Sequence, residues 1–200
     1  MKMDLADLRH ARSRKDFPEL TLEKDEYVEL AVSRSKVGLV LIWGGVIIGI
    51  LAVTIVVLLA SAVDMDDNLL FKASGSAKRY FNLLFFALYA MLIIIGLVGS
   101  KVYRGNKLFV TNHRVVQIST LSLFSQSTNV INLVSIEDVS YKQSGIFEYI
   151  FKIGTIRMST VGDETTYTFP YVDTPTDELD TITHLVHVAK GADKQSGAKA

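Results

Sequence analysis

Two apolar runs without a single charged residue, Val37 to Val63 and Phe81 to Ser100, lie either side of a short polar loop, Asp64 to Tyr80. At about 1.5 Å of rise per residue, each is long enough to cross the roughly 30 Å hydrocarbon core of a bilayer. The pattern therefore predicts a hairpin of two transmembrane helices, 37–63 and 81–100, joined by an external loop, 64–80. The segment before the hairpin, 1–36, opens with a mixed-charge helix over Met1 to Lys15 that stops near Pro18. Its few apolar positions (Met1, Leu5, Leu8) suit an unattached, solvated helix, with a place on the membrane surface as the alternative. Tyr27 to Ser33 then alternates in the manner of a strand, with Val28, Leu30 and Val32 on one side. A lone strand leaves its edges unsatisfied, so it is expected to join a sheet formed later in the chain.

Beyond the hairpin the period changes to two. Strands are expected at Lys107 to Val110, Arg114 to Thr120, Thr128 to Leu133, Ile136 to Gln143, Gly154 to Thr160 and Thr165 to Phe169. Connecting turns fall at Thr111-Asn112-His113, at Leu121 to Phe124 and around Gly162-Asp163, and a helical turn at Gly145 to Phe151. A final helix follows Pro175, with Thr176 as its N-cap, acidic residues at its start and an apolar stripe of Leu179, Ile182, Leu185, Val186 and Ala189. The expected architecture is a membrane helical hairpin plus a mainly β domain of the α+β class. That domain, residues 103–190, is a small barrel or sandwich closed by one helix, and the polar tail 191–200 is expected to be disordered.

Charge sets the orientation. Lys2, Arg9, Arg12, Arg14, Lys15, Lys24, Arg34 and Lys36 precede the first span, and Lys101, Arg104 and Lys107 follow the second. The loop opens with Asp64, Asp66 and Asp67 and has only Lys72, Lys78 and Arg79 as basic residues. The excess of Lys and Arg puts both termini on the cytoplasmic side of the cell membrane. Ala60-Ser61-Ala62 resembles a signal cleavage site, but the apolar run is about twice the usual signal core and follows a long polar leader.

Composition narrows the chemistry. Hydrophobic content of 49% averages two very apolar segments with an ordinary polar domain. The 21 basic and 21 acidic residues cancel, which argues against nucleic acid as a partner. Without cysteine there is no disulfide, thiolate metal site or cysteine nucleophile. Ionisable groups are absent from the interior of both spans, where a transporter or proton path normally needs them. Gly45, Gly49 and Gly96 are the candidate helix-packing positions, either between the two spans or, as the alternative, on a dimerisation face. His184 and His187, three apart on the last helix, lack further ligands for a metal, and His113 has neither a nucleophile nor paired carboxylates beside it. Asn112 fits its turn through its tolerance of left-handed backbone angles. No cofactor, small-molecule substrate or catalytic residue is expected.

The order of parts resembles the bacterial pleckstrin-homology-like (PH) domain family in its YdbS-like membrane-anchored form. The resemblance rests on Leu-Thr-Leu-Glu-Lys-Asp-Glu-Tyr-Val at Leu20 to Val28, the hairpin, and Phe-Val-Thr-Asn-His-Arg-Val-Val at Phe109 to Val116. It continues through Ile136-Glu137-Asp138-Val139, Gln143-Ser144, Gly154-Thr155-Ile156, Phe169, Val172 and Pro175. The family often has His-Pro where this chain has Ser35-Lys36, and a glycine where it has Lys152. The resemblance implies a PH-like barrel with a C-terminal capping helix on the cytoplasmic face, and no enzymatic activity. The function expected is a non-catalytic module, tethered to the bilayer, that binds a membrane protein or a copy of itself through exposed strand edges and the apolar turn Leu121, Leu123 and Phe124, with insertion of that turn into the bilayer surface or its packing on the tether as the alternative. Lys101, Arg104 and Lys107 are expected to anchor the second span at the headgroup level; the rival function is an anionic-lipid sensor acting through Lys101, Arg104, Lys107 and Arg114, and the resemblance also suggests a link to envelope stress.

Overall fold

The structure is a computed structural model that describes residues 5–62, 75–161, 166–173 and 176–197. The expected Gly162-Asp163 turn, Pro175, most of the expected external loop and the last residues of the tail lie outside the described residues. In chain order the elements are α1 (Leu5–Asp16), β1 (Val28–Ser33), α2 (Lys36–Ala62), α3 (Gly75–Arg104), β2 (Lys107–Thr111), β3 (Arg114–Ser122) and β4 (Ser125–Asn132). A 3-10 turn at Leu133–Ser135 leads to β5 (Ile136–Lys142), α4 (Ile146–Ile150), β6 (Ile153–Thr160), β7 (Thr166–Asp173) and α5 (Thr176–Gly197).

The chain divides into two compact units. One is the helix pair Lys36–Tyr103; the other joins Met1–Ser35 to Arg104–Ala200. The β domain is thus built from both sides of the hairpin, and residues 103–190 are only part of it.

In the helix pair, α2 and α3 are long and apolar enough to cross a membrane, and their aliphatic side chains are largely bare, Ile48 and Phe86 among them. A core helix of a water-soluble domain would bury such residues. The two helices approach closely where glycine removes a side chain. A Cβ on Gly96 would come 2.9 Å from Val46, one on Gly49 3.3 Å from Leu92, and one on Gly38 2.1 Å from the Tyr103 ring. A Cβ on Gly45 would meet nothing within 4 Å, so Gly45 does not take part in this packing. It lies one turn before Gly49 on the same side of α2 and is exposed. Thr54 satisfies its hydroxyl within its own helix, donating to the Ile50 carbonyl at 2.8 Å, and shares a second hydrogen bond with the Tyr89 hydroxyl at 3.0 Å. Helix α3 begins at Gly75, inside the segment expected as loop, and continues to Arg104.

In the second unit the described strands form two antiparallel sheets, ordered β1-β2-β3-β4 and β5-β6-β7. Strand β1 pairs with β2 across the whole hairpin insertion, Ser33 opposite Lys107 and Ala31 opposite Phe109. Alternate residues of the two sheets (Leu108, Val110, Val115, Ile131, Ile156, Met158, Phe169) meet in one core, which Ile182 and Val186 of α5 complete. Gln117 links the sheets, its amide donating to the Thr168 carbonyl at 2.9 Å. Strand β3 extends two residues beyond expectation, so only Leu123 and Phe124 form the loop between Ser122 and its partner Ser125. Helix α5 runs through Gly197, into the segment expected as a disordered tail; Ala, Lys and Gln there are good helix formers.

The largest difference concerns the N-terminal segment. Helix α1 is not an unattached helix. His10 donates to the Glu26 carbonyl, the Ser13 hydroxyl accepts from the Val28 N–H at 3.0 Å, and Arg9 pairs with Glu29. The chain after α1 then lies across the outer face of the four-stranded sheet. Phe17, Leu20 and Val28 pack on Phe109, Val116 and Ile118, with the Phe17 and Phe109 rings edge to face at 5.3 Å. This segment, Phe17 to Tyr27, acts as a strap. It gives β2 and β3 two buried faces, which is why Leu108 to Thr111 and Val115 to Ile118 are each buried at four successive positions.

Candidate functional site

The strap is fastened at the turn between β2 and β3. Glu26 is 1% exposed, and Arg114 grips it with two parallel bonds, Nε to Oε1 and Nη2 to Oε2, both 2.9 Å. Such a fork of charge-assisted bonds holds both direction and distance. The Thr111 hydroxyl donates to Oε1 at 2.8 Å and the Glu23 N–H to Oε2 at 2.8 Å, while Arg114 also donates to the Thr21 carbonyl. Burial alone would raise the Glu26 carboxyl. The bonds from Arg114, Glu23 and Thr111, with the charge of Arg114, outweigh it and hold the group below its ordinary value.

Asn112 completes the fastening. Its Oδ1 accepts from the Tyr27 N–H and its Nδ2 donates to the Asp25 carbonyl, each at 3.1 Å. It is not among the residues of positive φ, so its role is to bind the strap rather than to relax its own turn. Two of the stretches that carry the resemblance, Leu20 to Val28 and Phe109 to Val116, are therefore the two halves of one clamp.

This arrangement changes the reading of the four cations. Arg114 is committed to Glu26, and Lys107 is ion-paired with Glu19 of the strap. Lys101 and Arg104 stand exposed on the last turn of α3. Within the β domain, Lys107 and Arg114 thus each face a carboxylate of the strap. A cavity of about 220 Å³ does lie between the strap and β3–β4, lined by Leu20, Thr21, Arg114, Val116, Ile118 and Thr128 among others. It is smaller than typical small-molecule sites, and its one arginine is already neutralised. Among the described residues no three His, Cys, Asp or Glu side chains are grouped to hold a metal.

The exposed apolar residues lie elsewhere. Leu121, Leu123 and Phe124 sit at the β3–β4 hairpin, Phe124 being 98% exposed. A second apolar loop, expected only as a helical turn, is α4 with its flanks: Ile146, Phe147, Tyr149, Ile150 and Phe151 are all exposed. Its frame is well defined. Gly145 has φ +105°, Gln143 donates to the Glu148 and Ile153 carbonyls, and the Glu148 carboxylate turns back to the Ser144 N–H. Lys152, at the position where the family often has glycine, holds a left-handed φ of +51°. At the base of the loop Tyr141 lies across Gly154, where an added Cβ would come 2.0 Å from its ring. Burial, with Glu148 nearby, pushes the Tyr141 phenol above its ordinary value, so it remains a donor toward the Ile153 carbonyl.

Two antiparallel sheets enclosing one core, with a C-terminal helix packed into it, define a PH-like domain. The family model described as bacterial PH domain matches residues 32–184, and the chain belongs to that family. The match does not resolve a YdbS-like division within it. No curated protein matches the chain. Among solved structures it is similar to a DUF1696 family protein with a pleckstrin-homology domain from Shewanella loihica PV-4. That likeness has 14% identity and a TM-score of 0.32, covering 42% of this chain and 70% of the other.

Proposed function

We propose that this protein is a membrane-anchored, non-catalytic PH-like module that holds an interaction surface at the cytoplasmic face of the cell membrane, for a membrane protein or a second copy of itself. The observation that carries the proposal is the pairing of β1 with β2. These strands are separated in sequence only by α2, α3 and their connections, which supports a hairpin whose two ends emerge on the same side. The flanking Lys and Arg residues favour that side being cytoplasmic.

Within the domain, β4 is an edge strand whose exposed half, Ser125 to Asn129, carries no charge to discourage pairing with another chain. It is the strand edge best suited to a protein partner. Tags at both termini, tested for protease access in right-side-out and inverted vesicles, together with crosslinking from Gln126 in native membranes, examine the proposal. Both tags cut only in inverted vesicles, and a discrete protein adduct, are the expected results. A tag on the outer face, or adducts to lipid alone, would overturn it.

Sensing of anionic lipid through the four cations is the weaker reading, because Lys107 and Arg114 already have carboxylate partners. What favours it is the pair Lys101 and Arg104, exposed at the end of a span where cations meet headgroups.

A further inference from the structure

The two bare apolar loops come from different sheets, yet they project from the same end of the β domain. Thr120 donates from its hydroxyl to the Gly105 carbonyl at 3.0 Å and from its N–H to Asn106 Oδ1 at 3.3 Å. That ties the start of the β3–β4 hairpin to the two residues linking α3 to β2. On the other sheet, the Ser35 N–H donates to the Tyr171 carbonyl at 2.6 Å. Ser35 immediately precedes α2, while the adjacent Val172 and Asp173 pair with Gly154 and Ile153, where the α4 loop rejoins its sheet. Both loops thus flank the end of the domain from which the connections to the apolar helices leave.

Their composition matches a bilayer interface. Leu121, Phe124, Ile146, Phe147, Tyr149 and Ile150 present large apolar and aromatic side chains, and Phe147 is 69% exposed. Tyr belongs to the residues enriched at headgroup depth. Exposed Lys142 and Lys152 bracket the α4 loop, while its one acid, Glu148, bonds back to the loop's own backbone. The outward charge is therefore positive, which is complementary to anionic lipid. A flat protein partner is served less well, because a loop held rigid by Gln143, Gly145 and Tyr141 offers protruding tips rather than a groove or an edge.

We infer that the Leu121–Phe124 hairpin and the α4 loop together form a lipid-docking edge, inserting into the interfacial layer of the membrane that the chain spans and fixing the orientation of the β domain on it. This rests on the reading of α2 and α3 as membrane spans, and the test separates the two. Because the chain has no cysteine, single cysteines can be introduced without altering a native thiol. Four full-length variants, Phe124→Cys, Phe147→Cys, Ile48→Cys and His113→Cys, are labelled with an environment-sensitive fluorophore. They are reconstituted in vesicles of phosphatidylcholine and phosphatidylglycerol containing lipid with a nitroxide either near the headgroup or deep in the chain. Ile48 reports the span. His113 reports an exposed turn at the opposite end of β2 from the connections.

The expected result is quenching at Phe124 and Phe147 several-fold stronger than at His113, greatest with the shallow nitroxide, and deep quenching at Ile48. Deep quenching at Ile48 with Phe124 or Phe147 as accessible to water as His113 would overturn the docking edge and leave the anchor standing. Loss of water access at both loops without lipid quenching would assign them to a protein contact and likewise overturn it. Absence of quenching at Ile48 would overturn the anchor, and the docking edge with it.

Discussion

Two groups of apolar side chains lie outside the main core of this domain, and they meet opposite fates. Phe109, Val116 and Ile118 on the outer face of the four-stranded sheet are covered by the chain's own N-terminal strap. Leu121, Phe124, Ile146 and Phe147 at the loop tips remain bare. The difference lies in what stands next to them. The outer face has a polar clamp at its edge, Glu26 with Thr111, Asn112 and Arg114, that holds a cover in place. The loop tips have no such fastening; the hydrogen bonds of the α4 loop close it on itself. Buried apolar residues with a fastening nearby serve stability, and bare ones on a self-contained frame are available to something outside.

The comparison breaks most readily at the clamp. Arg114→Ala leaves the Glu26 carboxylate buried without its cation and is expected to cost about 3–5 kcal/mol, read as a lowered unfolding midpoint of the β domain and protease cleavage within the strap. Phe17→Ala removes the ring on Phe109 and should cost about 2–3 kcal/mol in denaturant unfolding of the full chain in detergent. Gly154→Ala forces the Tyr141 ring aside, for about 1–3 kcal/mol. Tyr141→Ala in the same chain should recover part of that loss, a coupling that a double-mutant cycle measures.

Acid tests the clamp by titration. The Glu26 carboxyl lies lower in the folded protein than in the unfolded chain, so its stabilisation is complete above the unfolded value. It is lost as pH falls from there through the depressed folded value. Unfolding midpoints should therefore drop on acidification below about pH 4.3, and Glu26→Gln should flatten that part of the profile. Last, Phe124→Ser and Phe147→Ser should change stability by no more than about 0.5 kcal/mol. A larger loss at either tip would erase the distinction drawn between the two groups.

Much of the fold is legible in the sequence because its signals are local. The two uncharged runs, the period of two after Lys107 and the stripe of Leu179, Ile182, Leu185 and Val186 each specify an element without reference to the rest of the chain. The strap is different. Between Phe17 and Tyr27 the sequence has neither helical nor strand period, and only the partners at Phe109 to Arg114, far along the chain, give it a place. From sequence alone Arg114 and Lys107 stand as lipid-headgroup candidates, since a cation's partner is invisible when it lies some ninety positions away. One signal was available. Leu108-Phe109-Val110 and Val115-Val116 are apolar at successive positions, which demands cover on both faces of the sheet. A fragment beginning at Tyr103 would lack both β1 and that cover.

The insertion of α2 and α3 between β1 and β2 also imposes an order in time. The ribosome delivers β1 and the strap first, then both apolar helices, and only afterwards the strands against which the first pieces close. Until the chain beyond the second helix has been made, β1 has no β2 to pair with and Glu26 no Arg114. Completion of the sheet therefore requires the chain that follows α3 to return to the chain that precedes α2. A chain interrupted before β2 is left with β1 unpaired, an open strand edge of the kind that invites pairing with other chains.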